Sequence, residues 1–532
     1  MKKHLLAIII TLIGIALNAQ VSIWDGTAEI WTHGSGTQED PFLIESAQNL
    51  AYIAVKTNEY LQNSHENRMM YADTCFLLTV DIDFGADAGM EWEPIGINGT
   101  AWGKGRFSGH FDGGGHSFTN LTISNDDADF FGIFGFMEGG SLKNIVVEGN
   151  YINISHIYTY GNGPVGLLLG YGIDVTIENC VNNANVYWET INIDTGNCNL
   201  GGLFGCLVNS SITNCHNHGD ISAPESTIMY NGPKCGGIAG CFNNCVVSDC
   251  SNYGHIYFKN GEYFLVNYIY GGGIAGVMTG TITNCSNNGN LYFEGDVSGD
   301  PLLKAVGGII GYTASEFGGS LVVGNCYSNC NINVVDDDTE PSWAGGIVGY
   351  ITDTINVTIQ NCYCASSDML TDYTGGIVGR ANDNTAVNNC YYINALTSVN
   401  DYGSPKPESE MRTQEFVDLL NDGGDVYAMD LLYVNGGFPI FSRYTGISEN
   451  ESRENISVYP NPAKEYVQII VSDESCLQSA EIYTLDGRLV FETQDATAQP
   501  TTINVANLKS GVYVIKVKLT DGNDYVAKIV KK

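Results

Sequence analysis

The chain has 532 residues, with 23 Lys or Arg against 59 Asp or Glu, so its formal net charge is −36 at pH 7. This charge excludes a nucleic-acid binder held by a general basic field, and with 44% hydrophobic and only 15% charged residues the chain has ample material for a packed core. Glycine is abundant at 64 residues and proline scarce at 13, which is typical of many short strands joined by tight turns.

The N-terminus has the pattern of a secretory signal. Two lysines precede an apolar run from Leu5 to Leu17, and the small residue Ala19 follows it. We therefore predict a signal peptide at residues 1–19 and an exported mature chain. The alternative is an uncleaved anchor, but thirteen apolar positions are fewer than the ~20 that a membrane span needs. No later segment reaches that length, so we expect no transmembrane segment in the mature chain.

A five-residue apolar glycine motif recurs through the middle of the chain. Two weaker copies start at Phe131 and Gly166, and successive starts differ by 35, 35, 35, 36, 35, 38 and 30 residues. The six clear copies start at Gly201, Gly236, Gly272, Gly307, Gly345 and Gly375. This spacing predicts an array of eight units over residues 131–400.

Two further elements follow each glycine motif. An Asn-Cys or Asp-Cys pair comes roughly ten residues later, and a Gly-x-aliphatic or Ala-x-aliphatic element, such as Gly254-His255-Ile256, comes after that. Each unit thus offers three short strands, which cannot bury their own apolar faces unless neighbouring units stack. The pattern predicts an all-β parallel solenoid, with glycine and asparagine at corners that need unusual backbone angles. A propeller is the competing arrangement.

Seven cysteines occupy one register of the repeat: Cys180, Cys215, Cys250, Cys285, Cys326, Cys362 and Cys390. Ile145 takes this place in the first unit, so the position favours a small apolar side chain, and we predict an inward cysteine ladder. Disulfides between adjacent coils stay open, since stacked coils lie ~4.8 Å apart. Metal ligation by Cys215, His216 and His218 is a weaker alternative, because these residues lack a repeated partner.

The glycine motif, the Asn-Cys pair and the Gly-x-aliphatic element together resemble the GLUG-type repeats of bacterial surface proteins, including adhesin-like proteins. The resemblance covers about residues 34–445 and includes the segments GSGTQEDPFLI (34–44), a helix-like stretch after Ser46 and NGGFPIF (435–441). It implies a right-handed parallel β-helix without catalytic residues of its own. Residues 20–130 would form an N-terminal cap and the first coils, and residues 401–446 a C-terminal cap.

A polar linker at residues 447–454 precedes a compositionally distinct module at 455–532, where strand-like runs predict a small β-sandwich. This module resembles the C-terminal sorting domain of type IX secretion cargo in Bacteroidota, which implies export by that machinery to the cell surface or beyond. Whether the module is then cleaved stays open. The sorting-signal residues implied by the resemblance are Tyr459, Pro460, Asn461, Pro462, Gly487, Arg488, Gly511, Tyr513, Lys531 and Lys532.

The repeat array offers little material for catalysis. Polysaccharide lyases and glycosidases need a basic residue or convergent carboxylates, and the five basic residues of the array have no acidic cluster at a fixed offset: Lys143, Lys234, Lys259, Lys304 and Arg380. We therefore predict no catalytic residue, no cofactor and no metal site. Acidic runs at 126–129 and 336–338 leave Ca²⁺ open as a ligand, with solvated loops as the alternative.

Exposed tyrosines are the candidate binding residues. If Val186, Ile256 and Leu291 face inward, then the next residues, Tyr187, Tyr257 and Tyr292, face outward, with Ser222 in the intervening place. Such a line offers a platform for a glycan or a host surface protein, or it stiffens the sheet. The sequence thus predicts a non-catalytic, adhesin-like secreted or surface protein. A carbohydrate-active enzyme and a structural spacer are the alternatives, and the ligand and the oligomeric state stay undetermined.

Overall fold

The protein is described from a computed structural model. The structure describes residues 21–59, 69–85, 89–97, 105–123, 130–149, 152–154, 157–159, 163–188, 191–193, 198–223, 228–229, 232–259, 268–294, 303–314, 319–335, 341–352, 354–396, 400, 402–430, 434–445, 456–459, 463–471, 477–484, 489–494, 501–509, 511–519 and 524–531. The predicted signal peptide at 1–19, the linker at 447–454 and both acidic runs lie outside these residues.

The repeat units stack into a parallel β-solenoid, in which each strand pairs with the equivalent strand one unit further on. Sheet 1 precedes the glycine motif and has seven described strands, whose last glycines pair in register, as Gly201 with Gly236. These strands are Gly163–Gly166, Cys198–Gly201, Pro233–Gly236, Tyr268–Gly272, Leu303–Gly307, Ser342–Gly345 and Tyr373–Gly375. The weak first copy joins this sheet through a single bridge between Phe131 and Val165.

Sheet 2 follows the motif and contributes two strands to most units. Its described strands are Phe42–Ile44, Met69–Met70, Cys75–Leu78, Arg106–Phe107, His110–Asp112, Phe134–Glu138, Ser141–Lys143, Leu169–Ile173, Thr176–Glu178, Phe204–Val208, Ser211–Thr213, Ala239–Ser248, Ala275–Thr283, Ile310–Thr313, Leu321–Gly324, Val348–Ile351, Val357–Gln360, Val378–Arg380 and Thr385–Asn388. In two units the pair merges into one long strand, Ala239–Ser248 and Ala275–Thr283.

Sheets 3 and 4 complete the walls. Sheet 3 follows the Asn-Cys pair and consists of Val21–Ile23, Asp81–Asp83, Ser117–Thr119, Val146–Val147, Val181–Asn182, His216–Asn217, Ser251–Asn252, Ser286–Asn287, Tyr327–Ser328, Tyr363–Cys364, Tyr391–Ile393 and Ser404–Lys406. Sheet 4 consists of Thr122–Ile123, Ile152–Ile154, Val186–Trp188, Ile221–Ala223, Ile256–Lys259, Leu291–Glu294, Ile332–Val335 and Met369–Leu370. A short extra sheet contains Ile157–Thr159, Ile191–Ile193 and Ile228–Met229.

The parallel solenoid is therefore confirmed, with two corrections. The prediction of three strands per unit was wrong, because the segment before each glycine motif forms a further strand. The motif glycines were also expected to adopt angles that other residues avoid, yet they have ordinary φ values. They are needed for close backbone approach: a Cβ on Gly201 would lie 1.8 Å from the carbonyl oxygen of Phe204. The predicted right hand of the helix stays a prediction.

The interior of the column is apolar, and the cysteine ladder is confirmed. All seven ladder cysteines are buried, with at most 3% of their surface exposed, and pack with aliphatic residues of the same core. Desolvation raises the pKa of Cys215, and hydrogen bonds with the neighbouring thiols of Cys180 and Cys250 raise it further, so adjacent thiols of the ladder contact each other. The fifteen described cysteines are free thiols.

Two asparagine ladders run along the column. At the corner before each cysteine, asparagines such as Asn179 and Asn214 adopt the left-handed conformation with φ near +55°, as expected, and their side chains bond one another at 2.8 Å. A second ladder is buried: Asn182, Asn217 and Asn252 each donate to the next asparagine at 2.7–2.8 Å, and the ladder ends at Asn287. Each of these amides also donates to the carbonyl two residues ahead.

The helix Ala47–Asn58 lies near the N-terminal end of the column. Ser46 caps it by accepting a hydrogen bond from the amide of Asn49 at 3.2 Å, and its buried face packs into the column core through Leu50 and Ile53. The helix-like stretch predicted after Ser46 is confirmed.

Residues 407–430 and 434–445, here called the strap, lie along the outer side of sheet 3. The strap contains the helix Gln414–Asn421, an antiparallel pair formed by Tyr427–Ala428 and Ile440–Phe441, and the 3₁₀ turn Ser442–Thr445. Its apolar side chains, including Phe416, pack on outward-facing Tyr327 and Tyr363. Much of the segment predicted as an end cap therefore covers a flank of several coils.

The described strands of the C-terminal module pair in antiparallel fashion, and one isolated parallel bridge joins Ala463 to Lys531. One sheet contains Ile456–Tyr459, Tyr466–Val471 and Thr501–Asn504, and the other contains Leu477–Thr484, Leu489–Gln494, Gly511–Leu519 and Asp524–Lys531. Apolar residues from both sheets share one cluster, which includes Val467, Ile482 and Ile515. The module therefore has a hydrophobic core of its own.

Candidate functional site

Tyr257 and Tyr292 form a stacked pair on the outside of sheet 4. They are direct partners in adjacent coils, with ring centroids 4.8 Å apart and planes 9° apart. The preceding residues, Ile256 and Leu291, are buried in the column core, whereas Tyr257 is 41% exposed. The strand period of two thus places both rings outside the column.

The same face carries a fixed polar network. The hydroxyl of Tyr292 donates to Oε2 of Glu294 at 2.5 Å, and Nζ of Lys259 lies 3.2 Å from the same carboxylate. The bond to Glu294 raises the pKa of Tyr292 to about 12, and the bond from Tyr292 lowers the pKa of Glu294. These side chains hold the tyrosine ring in one orientation.

Tyr187 is separated from the stacked pair. It pairs with Ser222, which in turn pairs with Tyr257, and it is only partly exposed. The three tyrosines occupy one column of the sheet, but a two-membered platform results because the serine interrupts the stacking. Ligand binding by Tyr187, Tyr257 and Tyr292 stays a prediction.

A second aromatic surface, here called the aromatic groove, lies outside the corner between sheets 1 and 2. Tyr270 of sheet 1 and Tyr312 of sheet 2 stack at 4.0 Å with planes 3° apart, and both belong to a cluster separate from the column core. Since side chains on the outer faces of two adjoining sheets touch, the corner is concave toward the outside. The close glycine contacts of the motif make this bend possible.

The sequence contains a signal for this groove that strand alternation alone does not reveal. The residue directly after each glycine motif lines sheet 2, and the paired column is Phe136, Tyr171, Cys206, Cys241, Val277, Tyr312, Tyr350 and Arg380. The residue two positions before the motif lines sheet 1, and that paired column includes Lys234, Tyr270, Ala305, Trp343 and Tyr373.

The groove ends in an exposed aromatic cluster with an arginine. Trp343 and Tyr373 stack at 4.4 Å with planes 17° apart. The guanidinium of Arg380 lies 5.6 Å from the Trp343 ring centroid and 5.1 Å from that of Tyr350. Tyr373 is 41% exposed, and Asp372 beside it accepts hydrogen bonds from the amide and hydroxyl of Ser342 at 2.9 and 3.1 Å.

An open cleft of about 750 Å³ lies near the N-terminal coils, and its lining includes Asp112, Lys143, His110 and Ser141. Nζ of Lys143 is 3.1 Å from Asp112, and Nδ1 of His110 is 2.9 Å from the Ser141 hydroxyl. Desolvation raises the pKa of Asp112, but hydrogen bonds from Gly114, Asn144 and Lys143 outweigh it, so the pKa is lowered. This carboxylate therefore stays ionised and does not serve as a proton donor near neutral pH.

The histidines near the cysteine ladder have other contacts. Cys215 is buried in the ladder, Nε2 of His216 lies 2.9 Å from Oδ1 of Asn214, and the ring of His218 stacks on Tyr253 at 4.7 Å. Among the described residues, no group of three or more His, Cys, Asp or Glu side chains is arranged to hold a metal. Both acidic runs fall outside those residues, so Ca²⁺ binding is an open prediction.

Four of the ten predicted sorting residues lie in described segments. Tyr459 ends the strand Ile456–Tyr459, and Gly511 begins the strand Gly511–Leu519. The hydroxyl of Tyr513 donates to the carbonyl of Lys509 at 2.9 Å, and Lys531 is 8% exposed. The other six lie outside the described residues: Pro460, Asn461, Pro462, Gly487, Arg488 and Lys532.

Residues 457–532 match the family model described as the secretion system C-terminal sorting domain. This match indicates export through the type IX machinery to the cell surface or outside. In the described part of the chain, neither helix has the length and apolar character of a bilayer-spanning segment. The sequence-based assignment of the module is thereby confirmed.

Two curated proteins are similar to part of the chain. A protein of Evansella cellulosilytica, named as a Gly-rich membrane protein, is 32% identical over 165 residues, which is 30% of this chain and 17% of that protein. Halomucin of Haloquadratum walsbyi is 32% identical over 155 residues, which is 27% of this chain and 2% of that protein. The chain thus spans less than a fifth of the length of either relative.

Proposed function

We propose that this protein is a non-catalytic, adhesin-like β-solenoid that binds a polymeric ligand, a glycan or a host surface protein, outside the cell. Its repeats are of the GLUG type, residues 1–19 are a signal peptide, and the sorting module is a small β-sandwich. In this proposal the solenoid supplies a long rigid surface, and the module delivers it through the type IX machinery.

The stacked pair of Tyr257 and Tyr292 is the observation that carries the proposal. Two parallel rings, of which Tyr292 is fixed by its hydrogen bond to Glu294, present a preorganised aromatic surface, so little side-chain entropy is lost when a ligand packs on it. The contact between the rings also stiffens the sheet, but Tyr257 keeps 41% of its surface exposed, which is the surface that a ligand would cover.

A carbohydrate-active enzyme on the same scaffold is the main alternative, and a structural spacer is the other. The cleft near Asp112 has acidic and basic side chains, but its carboxylate is paired with Lys143. Incubation of the mature protein with a polysaccharide panel, followed by detection of reducing ends and unsaturated products, separates the enzyme from the binding protein.

The test of the proposed function is a glycan and host-protein array probed with the mature chain. We expect binding to at least one ligand, with a loss of about tenfold in affinity for Tyr257→Ala, since an aromatic contact contributes about 1.4 kcal/mol. The matched control is Tyr466→Ala, because Tyr466 is a similarly exposed tyrosine, at 46%, in the sorting module. Equal losses for the two variants, or no ligand at all, would contradict the proposal.

A further inference from the structure

The aromatic groove ends at the last described strands of its two sheets. Tyr373–Gly375 and Val378–Arg380 each pair with the preceding coil, and no further described strand pairs with them. The ring of Tyr373 stacks on Trp343 on one side, and its 41% exposure shows that much of the ring remains accessible to solvent. An accessible aromatic ring therefore stands at the end of the groove.

Seven basic side chains in the described ranges contact a carboxylate: Lys56, Arg106, Lys143, Lys259, Lys406, Arg412 and Arg443. Arg380 contacts aromatic rings instead. Arg380 is exposed and lies over the rings of Trp343 and Tyr350, and within the described ranges it has no ion pair. Ring contacts orient a guanidinium without neutralising it, so its donors stay available for a carboxylate.

We infer that Trp343, Tyr350, Tyr373 and Arg380 form a binding site for a hexuronic acid unit of an acidic polysaccharide. The sugar ring packs on Tyr373, and its carboxylate pairs with Arg380. A carboxylated sugar fits better than a neutral one because the exposed Arg380 guanidinium has no ion pair in the part of the chain that the structure describes and its planar donors match a carboxylate. This inference rests on the proposed polymer-binding function and adds a second site with a ligand class.

The site is tested by calorimetric titration of the mature chain with oligogalacturonate and with the same oligosaccharide methyl-esterified, which keeps the rings but removes the charges. We expect measurable binding of the acid and at least about tenfold weaker binding of the ester, as for loss of a charge-assisted pair. Arg380→Gln should lower affinity for the acid by about tenfold and leave the ester unchanged. Tyr373→Ala should weaken both ligands.

Controls separate this site from an unrelated exposed tyrosine and from misfolding. Tyr466→Ala, in the sorting module and 46% exposed, should bind oligogalacturonate like the unmodified protein, and each variant should keep its thermal midpoint. Unchanged affinity of Arg380→Gln, equal binding of acid and ester, or binding of dextran sulfate in place of oligogalacturonate would each overturn the inference. If the array ligand still depends on Tyr257 in that case, the proposed function stands without this site; a protein that binds nothing in either experiment refutes both.

Discussion

Nδ2 of Asn217 donates a hydrogen bond to Oδ1 of Asn252 in the next coil at 2.7 Å, and both side chains are wholly buried. The same nitrogen donates to the carbonyl of Gly219 at 2.9 Å, while Oδ1 of Asn217 accepts from Asn182. One amide therefore ties three coils together and closes its own turn. A change of register would leave buried amides unpaired, so the ladder fixes how the coils stack.

Asn217→Ala should destabilise the column. The substitution removes the donor to Gly219 and to Asn252 and leaves the Asn182 amide without that acceptor, at a cost of about 1–3 kcal/mol for unsatisfied buried groups. The urea midpoint, followed by far-ultraviolet circular dichroism, should fall. The matched control is Asn384→Ala, because Asn384 is exposed, and its midpoint should hardly change. An unchanged midpoint for Asn217→Ala would show that the ladder is not stabilising.

Gly272→Ala should impair folding far more than Gly324→Ala. A Cβ on Gly272 would lie 2.0 Å from the carbonyl oxygen of Ala275, whereas on Gly324 the nearest atom, a methyl carbon of Thr283, is 3.4 Å away. Both glycines end a strand of the column, so the pair isolates steric contact. Soluble yield and thermal midpoint report the difference, and equal values would refute the close-approach explanation of the glycine motif.

Removal of the buried side-chain amide of Asn435 should loosen the strap. Asn435 accepts from Asn288 and Asn329 at 3.1 and 2.9 Å and donates to the hydroxyl of Tyr363 at 2.9 Å, and it is 2% exposed. We expect Asn435→Ala to speed proteolytic cleavage within 407–445 severalfold, since these partners lose their bonds.

Arg443→Ala is the comparison for the strap. Arg443 pairs with Asp249, and both side chains are about 30% exposed, so the loss should be at most about 1 kcal/mol. Cleavage that is faster in Arg443→Ala than in Asn435→Ala would mean that the exposed ion pair, and not the buried amide, holds the strap.

Buried thiols should make the protein less stable at alkaline pH. Burial raises the pKa of Cys330 to about 12 and that of Cys364 to about 11, above the unfolded value of about 8.5. Their stabilising contribution is complete below pH ~8.5 and is lost as the pH rises toward 11–12, by about 1.4 kcal/mol per pH unit per thiol. Urea midpoints between pH 8 and 10.5 in reductant should fall, and less steeply in Cys330→Ala and Cys364→Ala. An identical slope in these variants would exclude the thiols as the cause.

Deletion of residues 457–532 should stop export. The deleted segment is the one that matches the sorting-domain family and has its own hydrophobic cluster, so the solenoid core is left intact. We expect the truncated chain to remain inside the cell envelope, measured by fractionation and by protection from external protease. Normal surface display of the truncated chain would show that another signal directs export.

Sequence periodicity was sufficient to predict the structural elements that repeat. The 35-residue spacing implied stacked parallel coils, the recurring Cys position implied an inward thiol column, and strand alternation placed Ile256 inside and Tyr257 outside. These inferences succeed because a residue and its equivalent one unit later occupy the same environment, so each position is in effect observed several times in one chain.

Only the tertiary structure decided which outer surfaces meet. Tyr270 and Tyr312 come from different columns of different sheets, and they stack because the glycine corner bends the wall inward. Arg443 reaches Asp249 across 194 positions of sequence, which no repeat spacing encodes. Contacts along the column follow from the repeat spacing. Contacts across a corner depend instead on the angle between two sheets, and contacts of the strap depend on a segment that occurs only once in the repeat pattern.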